Sequence, residues 1–261
     1  MDTVNLKEHN RGGGLFARQG GKWTKRKDVF KRWLPVDEYS KYIEPFLGGG
    51  NILLDAPYKK YTIASDTDSK VVTIFKDLQK LNVDDFINFE FKPNKELWLN
   101  YKDKINDKKL DSTTRFIMNM YIKLFSFNNT GKEYTTAKGM RSNKRLKQNI
   151  TEYKDKLKHV KFYKKSYTEI IPKYDSSDSF FYCDPPYYNT SSKQYETGEI
   201  NHLELFNILN NIKGYFLLSY NDTTYIRNLY KDYKITSFNN RQYLTGKGGT
   251  RVVSDLLISN Y

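Results

Sequence analysis

Apolar residues recur along this chain with two periods, and each change of period marks an element. Residues 24–33 have helix-forming character after the glycine pair Gly20-Gly21. "YIEPF" (42–46) reads as a short strand running into a Gly-rich turn, and Asn51, a good N-cap, opens "NILLDA". "KYTIASD" alternates into a second strand ending at Asp66, followed by "SKVVTIFKDLQKL" with apolar residues at helical spacing. Residues 82–160 change character. "VDDFINFEF", "ELWLNYKDKI" and "STTRFIMNMYIKLFSF" look mostly helical, and "NNTGKEYTTAKGMRSNKR" then mixes turn chemistry with β-propensity, Asn128 to Gly131 suiting a hairpin or exposed loop. Alternation resumes with "VKFYKKSYTEII", the strand "SFFYC", the helix "NHLELFNILNNI" and the strand "YFLLSYND", before a closing pair, "KITSFNNRQYL" and "RVVSDLLISNY". The predicted class is α/β: a doubly wound nucleotide-binding sheet made by residues 1–80 and 161–261, with a mainly helical lobe, 81–160, inserted into it.

Charge sharpens this division. The chain of 261 residues carries a formal +14. Residues 132–165 hold twelve Lys and Arg against three acids, and residues 1–35 hold nine against three. The rest is close to neutral, so the excess is localised, which points to a phosphate backbone; a Lys-rich solvated face is the other reading. The aromatic share of 16% is too rich for a disordered chain. A single cysteine, Cys183, excludes a disulfide framework and a Cys-based zinc site, and packing is its expected role. His9, His159 and His202 lack metal-ligand spacing, so no metal is expected. There is no 18-residue apolar run and no apolar signal-peptide core, so a soluble, cytoplasmic protein without a membrane partner is expected.

Two loops carry the candidate chemistry. Gly48-Gly49-Gly50 follows a strand and lets a ligand approach the backbone, although a structural turn explains it as well. The spacing is neither G-x-G-x-x-G nor a P-loop. Asp66, at the end of the second strand, is placed to accept hydrogen bonds from a ribose diol, or to cap the next helix. In "SFFYCDPPYYNT" (179–190) two prolines end the apolar run in a rigid loop. The Asp184 carboxylate and the Pro185 carbonyl, held close by the fixed φ of Pro185 and Pro186, match the two hydrogens of an exocyclic amino group. Tyr187 offers a stacking face for the heterocycle bearing that group, an arrangement suited to a base taken out of its duplex. Tyr188 and Asn189 are candidates for a flap over it. Hydrolase, zincin and kinase signatures are absent from the sequence.

With these pieces in order, the sequence resembles the Dam-type DNA adenine-N6 methyltransferases of the alpha group. The likeness rests on "GGK" (20–22), "EPFLGGG" (44–50), "ASD" (64–66), "FYCDPPY" (181–187), "LLSYND" (217–222) and "GGTR" (248–251). It implies a Rossmann-like S-adenosylmethionine-dependent sheet, with the cofactor over Glu44, Pro45, Phe46, Gly48 and Gly50. Asp66 would then bind its ribose, Lys22 would lie near its carboxylate, and Asp184 would face its amino group. Ser166 and Tyr167 stand where many members have an acidic residue for the cofactor's adenine, so the adenine contacts are expected from their main chain instead. "SFNNTGKEYTTAKGMR" occupies the place of the base-reading hairpin, giving Asn128, Asn129, Lys132, Lys138 and Arg141, with Lys144 and Arg145 beyond, as DNA contacts. The implied partner is double-stranded DNA and the implied product N6-methyladenine. Cytosine N4, RNA or a protein amide as acceptor, a non-catalytic DNA-binding subunit and a dinucleotide oxidoreductase are the competing readings. The target sequence, a cognate restriction nuclease and a choice between monomer and dimer stay open.

Overall fold

A computed structural model describes residues 14–16, 26–136, 139–189, 200–243 and 250–261, without the side chains of 26, 128, 139–143, 239–243 and 250–253. Its frame is a seven-stranded sheet: β1 (Lys41–Glu44), β2 (Tyr61–Ser65), β3 (Lys161–Tyr163), β4 (Ser179–Cys183), β5 (Tyr215–Asn221), β6 (Lys234–Tyr243) and β7 (Thr250–Ser259). The order is β3-β2-β1-β4-β5-β7-β6, parallel except for β7, which runs antiparallel to β5 and β6. The chain winds outward from β1 to β3 and then returns to β4 on the other side of β1. The topological switch point therefore lies between β1 and β4, where open α/β sheets bind ligands beyond the strands' carboxyl ends. Both loops singled out in the sequence leave the sheet there.

Alternating side chains feed two cores, one on each face of the sheet. On β4, Phe180 and Tyr182 join one core with Tyr42, Trp33 and Phe75, while Phe181 and Cys183 join the other with Ile43, Leu218 and Tyr220. The second face is covered by α7 (Tyr167–Tyr174), α8 (His202–Asn210) and α9 (Thr224–Leu229). On the first lie α1 (Arg26–Phe30), α2 (Ser69–Gln79) and the middle helices α3 (Val83–Asn88), α4 (Lys95–Lys104), α5 (Ser112–Leu124) and α6 (Gly139–Leu157). Asn82, Asn94 and Asp111 each cap the start of α3, α4 and α5 by accepting from backbone N–H groups. Phe86, Phe91, Phe116, Tyr121 and Phe125 belong to the same continuous core as Phe75 and Phe162 of the sheet unit. Arg115 of α5 clasps Asp77 of α2 through two nitrogens, at 2.8 and 2.5 Å.

Two local expectations change. Residues 51–56 form turns rather than a helix, and Asn51 instead accepts the Gly14 N–H at 2.6 Å. The stretch read as turn and β over 128–145 is half helix, because α6 begins at Gly139. The hairpin is a tight turn closed by one antiparallel bridge, Ser126 with Tyr134, beside hydrogen bonds from Phe127 to Glu133 (2.8 Å) and from Thr135 to Phe125 (2.9 Å).

The basic run is also less outward-facing than its composition suggests. Lys147 Nζ donates to the carbonyls of Ile87 and Phe89 at 2.6 Å each, Lys154 to that of Leu81 at 2.8 Å and Lys156 to that of Leu54 at 2.5 Å. Burial holds the Lys156 ammonium below the usual lysine range. Those cations staple α6 to the elements beneath it. Lys147→Ala should therefore cost about 1 kcal/mol of stability and, given the phosphate-backbone partner that the localised charge points to, leave unchanged the slope of DNA affinity against salt. The exposed Lys144, replaced by alanine, should reduce that slope by about one. Thermal melts and binding titrations at several salt concentrations separate the two; a flattened slope for Lys147→Ala refutes the stapling role.

Candidate active site

β1 delivers Glu44 to the switch point with only 2% of its surface exposed. The chain then turns through buried Pro45 and half-buried Phe46 into the glycine loop. Gly48 and Gly50 take left-handed φ of 51° and 70°, which glycine adopts without strain. The loop is packed from within as well. A Cβ on Gly50 would lie 2.5 Å from Phe75 Cζ, and one on Gly49 2.5 Å from the Phe16 carbonyl oxygen. Residues 14–16 lie across the loop, with Leu15 N–H donating to the Gly49 carbonyl at 2.9 Å. The three glycines thus serve turn and packing first, Gly48 and Gly50 by their left-handed backbone and Gly49 and Gly50 by the close approach of Phe16 and Phe75.

Asp66 stitches β1 to β2 at this point. Its Oδ2 accepts the Gly48 N–H and its Oδ1 the Asp68 N–H, both at 2.9 Å. Asp68, not Asp66, caps α2. The carboxylate that would meet a ribose therefore also fixes the glycine loop. Phe46 stacks on Tyr167 with ring centroids 5.4 Å apart, and the Tyr167 hydroxyl donates to Glu204 at 2.8 Å. The Ser166 N–H donates to the Glu169 carboxylate at 3.2 Å, closing the capping box of α7, and Tyr167 forms the wall beside Phe46.

Across the crevice β4 ends in Cys183, whose thiol is fully buried and pushed up by that burial, in keeping with a packing role. Asp184 follows, half-exposed, then buried Pro185 and half-buried Pro186 and Tyr187. Tyr188 is fastened rather than a flap: its backbone is held by Asn221 and its ring lies against Tyr225. Glu44 reports how near the acids are. Its pKa rises to about 8 through burial, opposed by a 2.6 Å hydrogen bond from the Tyr42 hydroxyl, with the charges of Asp184 and Asp66 pushing it further up. The folded value lies above the unfolded one, so the stability this group contributes is present below pH 4.5 and lost as pH rises through about 8. Glu44→Gln should melt near the wild-type temperature at pH 5 and several degrees above it at pH 9. Parallel melting curves across that range would rule the shift out.

Of the other sequence candidates, Asn129 has a left-handed φ of 55° beside Gly131, and Lys132 is exposed on the same turn. Lys144 is exposed on α6, with Arg145 half-buried next to it. Lys22 and Lys138, and the side chains of Asn128 and Arg141, lie outside the described residues. Among the described residues no group of three or more His, Cys, Asp and Glu is placed to hold a metal ion, and no helix is long and apolar enough to cross a membrane.

The sequence also matches known proteins. A family model described as D12 class N6 adenine-specific DNA methyltransferase matches residues 19–243. The DNA adenine methylase of Escherichia coli (strain K12) is 25% identical over 93% of this chain and 92% of its own length. A Type II methyltransferase of Methanocaldococcus jannaschii is 27% identical over 85% and 88%, and one of Lactococcus lactis subsp. cremoris is 23% identical over 99% of both.

Proposed function

Since the chain belongs to the D12 class of N6 adenine-specific DNA methyltransferases, we propose that it moves the methyl group of S-adenosylmethionine to N6 of an adenine turned out of duplex DNA into the crevice between β1 and β4. The observation that carries this reading is the convergence, at one switch point, of the glycine loop with Glu44 and Asp66 on one side and the Asp184–Tyr187 loop on the other. The donor set fits the cofactor: the Asp66 and Asp184 carboxylates, within electrostatic reach of the buried acid Glu44, suit a ligand bearing a sulfonium, an ammonium and ribose hydroxyls. Glu44, Pro45, Phe46, Gly48, Gly50, Asp66, Ser166, Tyr167 and Lys22 would hold it. The cofactor, when bound, supplies a methyl group made electrophilic by positive sulfur.

The chain's own work is orientation. Asp184 and the Pro185 carbonyl accept the two N–H groups of the adenine amine, which aims the nitrogen lone pair across the crevice. Tyr187 stacks on the ring and replaces the neighbours lost in the duplex. Once alkylated, the amine loses its proton readily, so no strong base is required. Residues 81–160 act as the target-recognition unit, with the 125–136 turn and the exposed Lys144 of α6 toward the DNA. The enzyme works as a monomer on one strand at a time, either alone or beside a restriction nuclease, as the Type II names of two relatives suggest for those proteins.

Incubating the protein with labelled cofactor and plasmid DNA, then digesting to nucleosides, should place the label in N6-methyladenine. Label found only in N4-methylcytosine or only in RNA overturns the acceptor, and no transfer at all supports a non-catalytic binding subunit.

A further inference from the structure

Two polar side chains that this chemistry leaves unused stand opposite each other on the last paired rung of the β5–β7 ladder, Asn221 and Asp255. The Asn221 amide makes a two-point contact with a single loop residue. Its Oδ1 accepts from the Tyr188 N–H at 3.1 Å, and its Nδ2 donates to the Tyr188 carbonyl at 2.9 Å. The Tyr188 ring then stacks on Tyr225, centroids 4.4 Å apart, and meets His202 edge-on at 5.3 Å. Asp255 is 2% exposed within the apolar run "VVSDLLIS", and its Oδ2 accepts from the Tyr187 hydroxyl at 3.3 Å. A carboxylate in an apolar strand is costly unless its hydrogen bonds are worth keeping.

We propose that Asn221 and Asp255 form a brace that sets the position of the two tyrosines behind Asp184 and Pro185, and so the angle at which the Tyr187 ring meets the target base. The inference rests on the reading of Tyr187 as the base's stacking partner. Prolines stiffen the loop where it leaves β4, but beyond Tyr187 no ring closure fixes the backbone, and Asn189 bends sharply at φ 54°. The rung supplies the missing constraint from underneath, one prong on backbone and one on a hydroxyl. Both are positioning residues, since neither meets the reacting atoms. The requirement is strict because small misplacements in such a site cost large factors in rate.

A double-mutant cycle between Tyr187→Phe, which keeps the ring, and Asp255→Leu, which removes the acceptor, tests the brace. Each single change should lower kcat on plasmid DNA by about 10- to 100-fold, with KM for DNA within about twofold. The double variant should fall no further than the worse single. Asp255→Asn, which keeps an acceptor, should recover most of the loss, and Asn221→Ala should match Asp255→Leu. Additive losses, or a folded Asp255→Leu protein with unchanged kcat, overturn the proposal. If Asp255→Leu does not fold, Tyr187→Phe alone decides, and an unchanged kcat there overturns it too. Tyr187→Ala separates the two levels of the argument. A dead Tyr187→Ala beside a fully active Tyr187→Phe removes the brace but keeps the stacking role, whereas a fully active Tyr187→Ala removes both.

Discussion

Asp184→Ala is expected to lower kcat for methyl transfer about 100- to 1,000-fold, while affinity for DNA at low salt stays near that of the wild type. The magnitude is that of removing a preorganised polar group aimed at the reacting atom. Without the carboxylate, the adenine amine loses one of two acceptors and its lone pair is no longer aimed. Asp184→Asn should fall between the two, since it keeps an acceptor oxygen but adds donors facing an amine that has none to accept them. A second readout is tied to the first. Asp184 is one of the charges that raise the Glu44 pKa, so Asp184→Ala should shift the pH-dependent melting attributed to Glu44 toward lower pH. Single-turnover assays with labelled cofactor measure the first effect. Turnover within a few-fold of normal would end the assignment of Asp184.

Arg115→Ala should cause a large loss of stability for a single change outside the crevice, about 3–5 kcal/mol. The Asp77 side chain is 3% exposed, and both its oxygens are held by the guanidinium. Truncation strands a buried carboxylate, and lysine cannot reproduce the fork. At about 2–4 °C per kcal/mol for a chain of this size, the melting temperature should fall by about 10 °C. Arg115→Met with Asp77→Leu should recover much of that, because removing both charges leaves nothing unpaired. A single Arg115→Ala variant that melts within 2 °C or so of wild type would show the pair to be incidental.

How much of this was legible in the sequence differs from place to place, for physical reasons. The strands ending at Glu44 and Cys183 were readable because an apolar run stopped abruptly at glycine or proline, and backbone constraints leave little choice there. α6 was missed in part because its first half is rich in Lys, Arg, Ser and Asn, which blurs its start. Its apolar positions Leu146, Ile150, Tyr153 and Leu157 nevertheless repeat at helical spacing and are buried. The inward use of Lys147, Lys154 and Lys156 has no sequence signal, since a lysine stem can reach a carbonyl several residues from its own surface. Asp66 was readable as an acid after a strand, but its grip on Gly48 depends on how β1 and β2 are paired. Asn221 lay inside a quoted motif and Asp255 inside an apolar run, yet their pairing across a rung appears only once β7 is inserted beside β5.

The core shared by α2, α5 and the sheet also bears on how such an enzyme changes its preference for DNA. Phe75, Phe86, Phe116 and Phe125 belong to one packed cluster, and the Arg115–Asp77 clasp crosses the same boundary. On the proposed assignment of residues 81–160 to target recognition, such a unit could not be exchanged whole between relatives without rebuilding the floor it stands on. Divergence of target should therefore proceed by substitution within the bridge-closed turn from Phe125 to Thr135, where Phe127 is 57% exposed and the backbone is pinned at both ends. On that proposal the scaffold is a fixed handle with a small replaceable tip, and an engineer seeking a new recognition sequence would randomise those few positions and leave the helices alone.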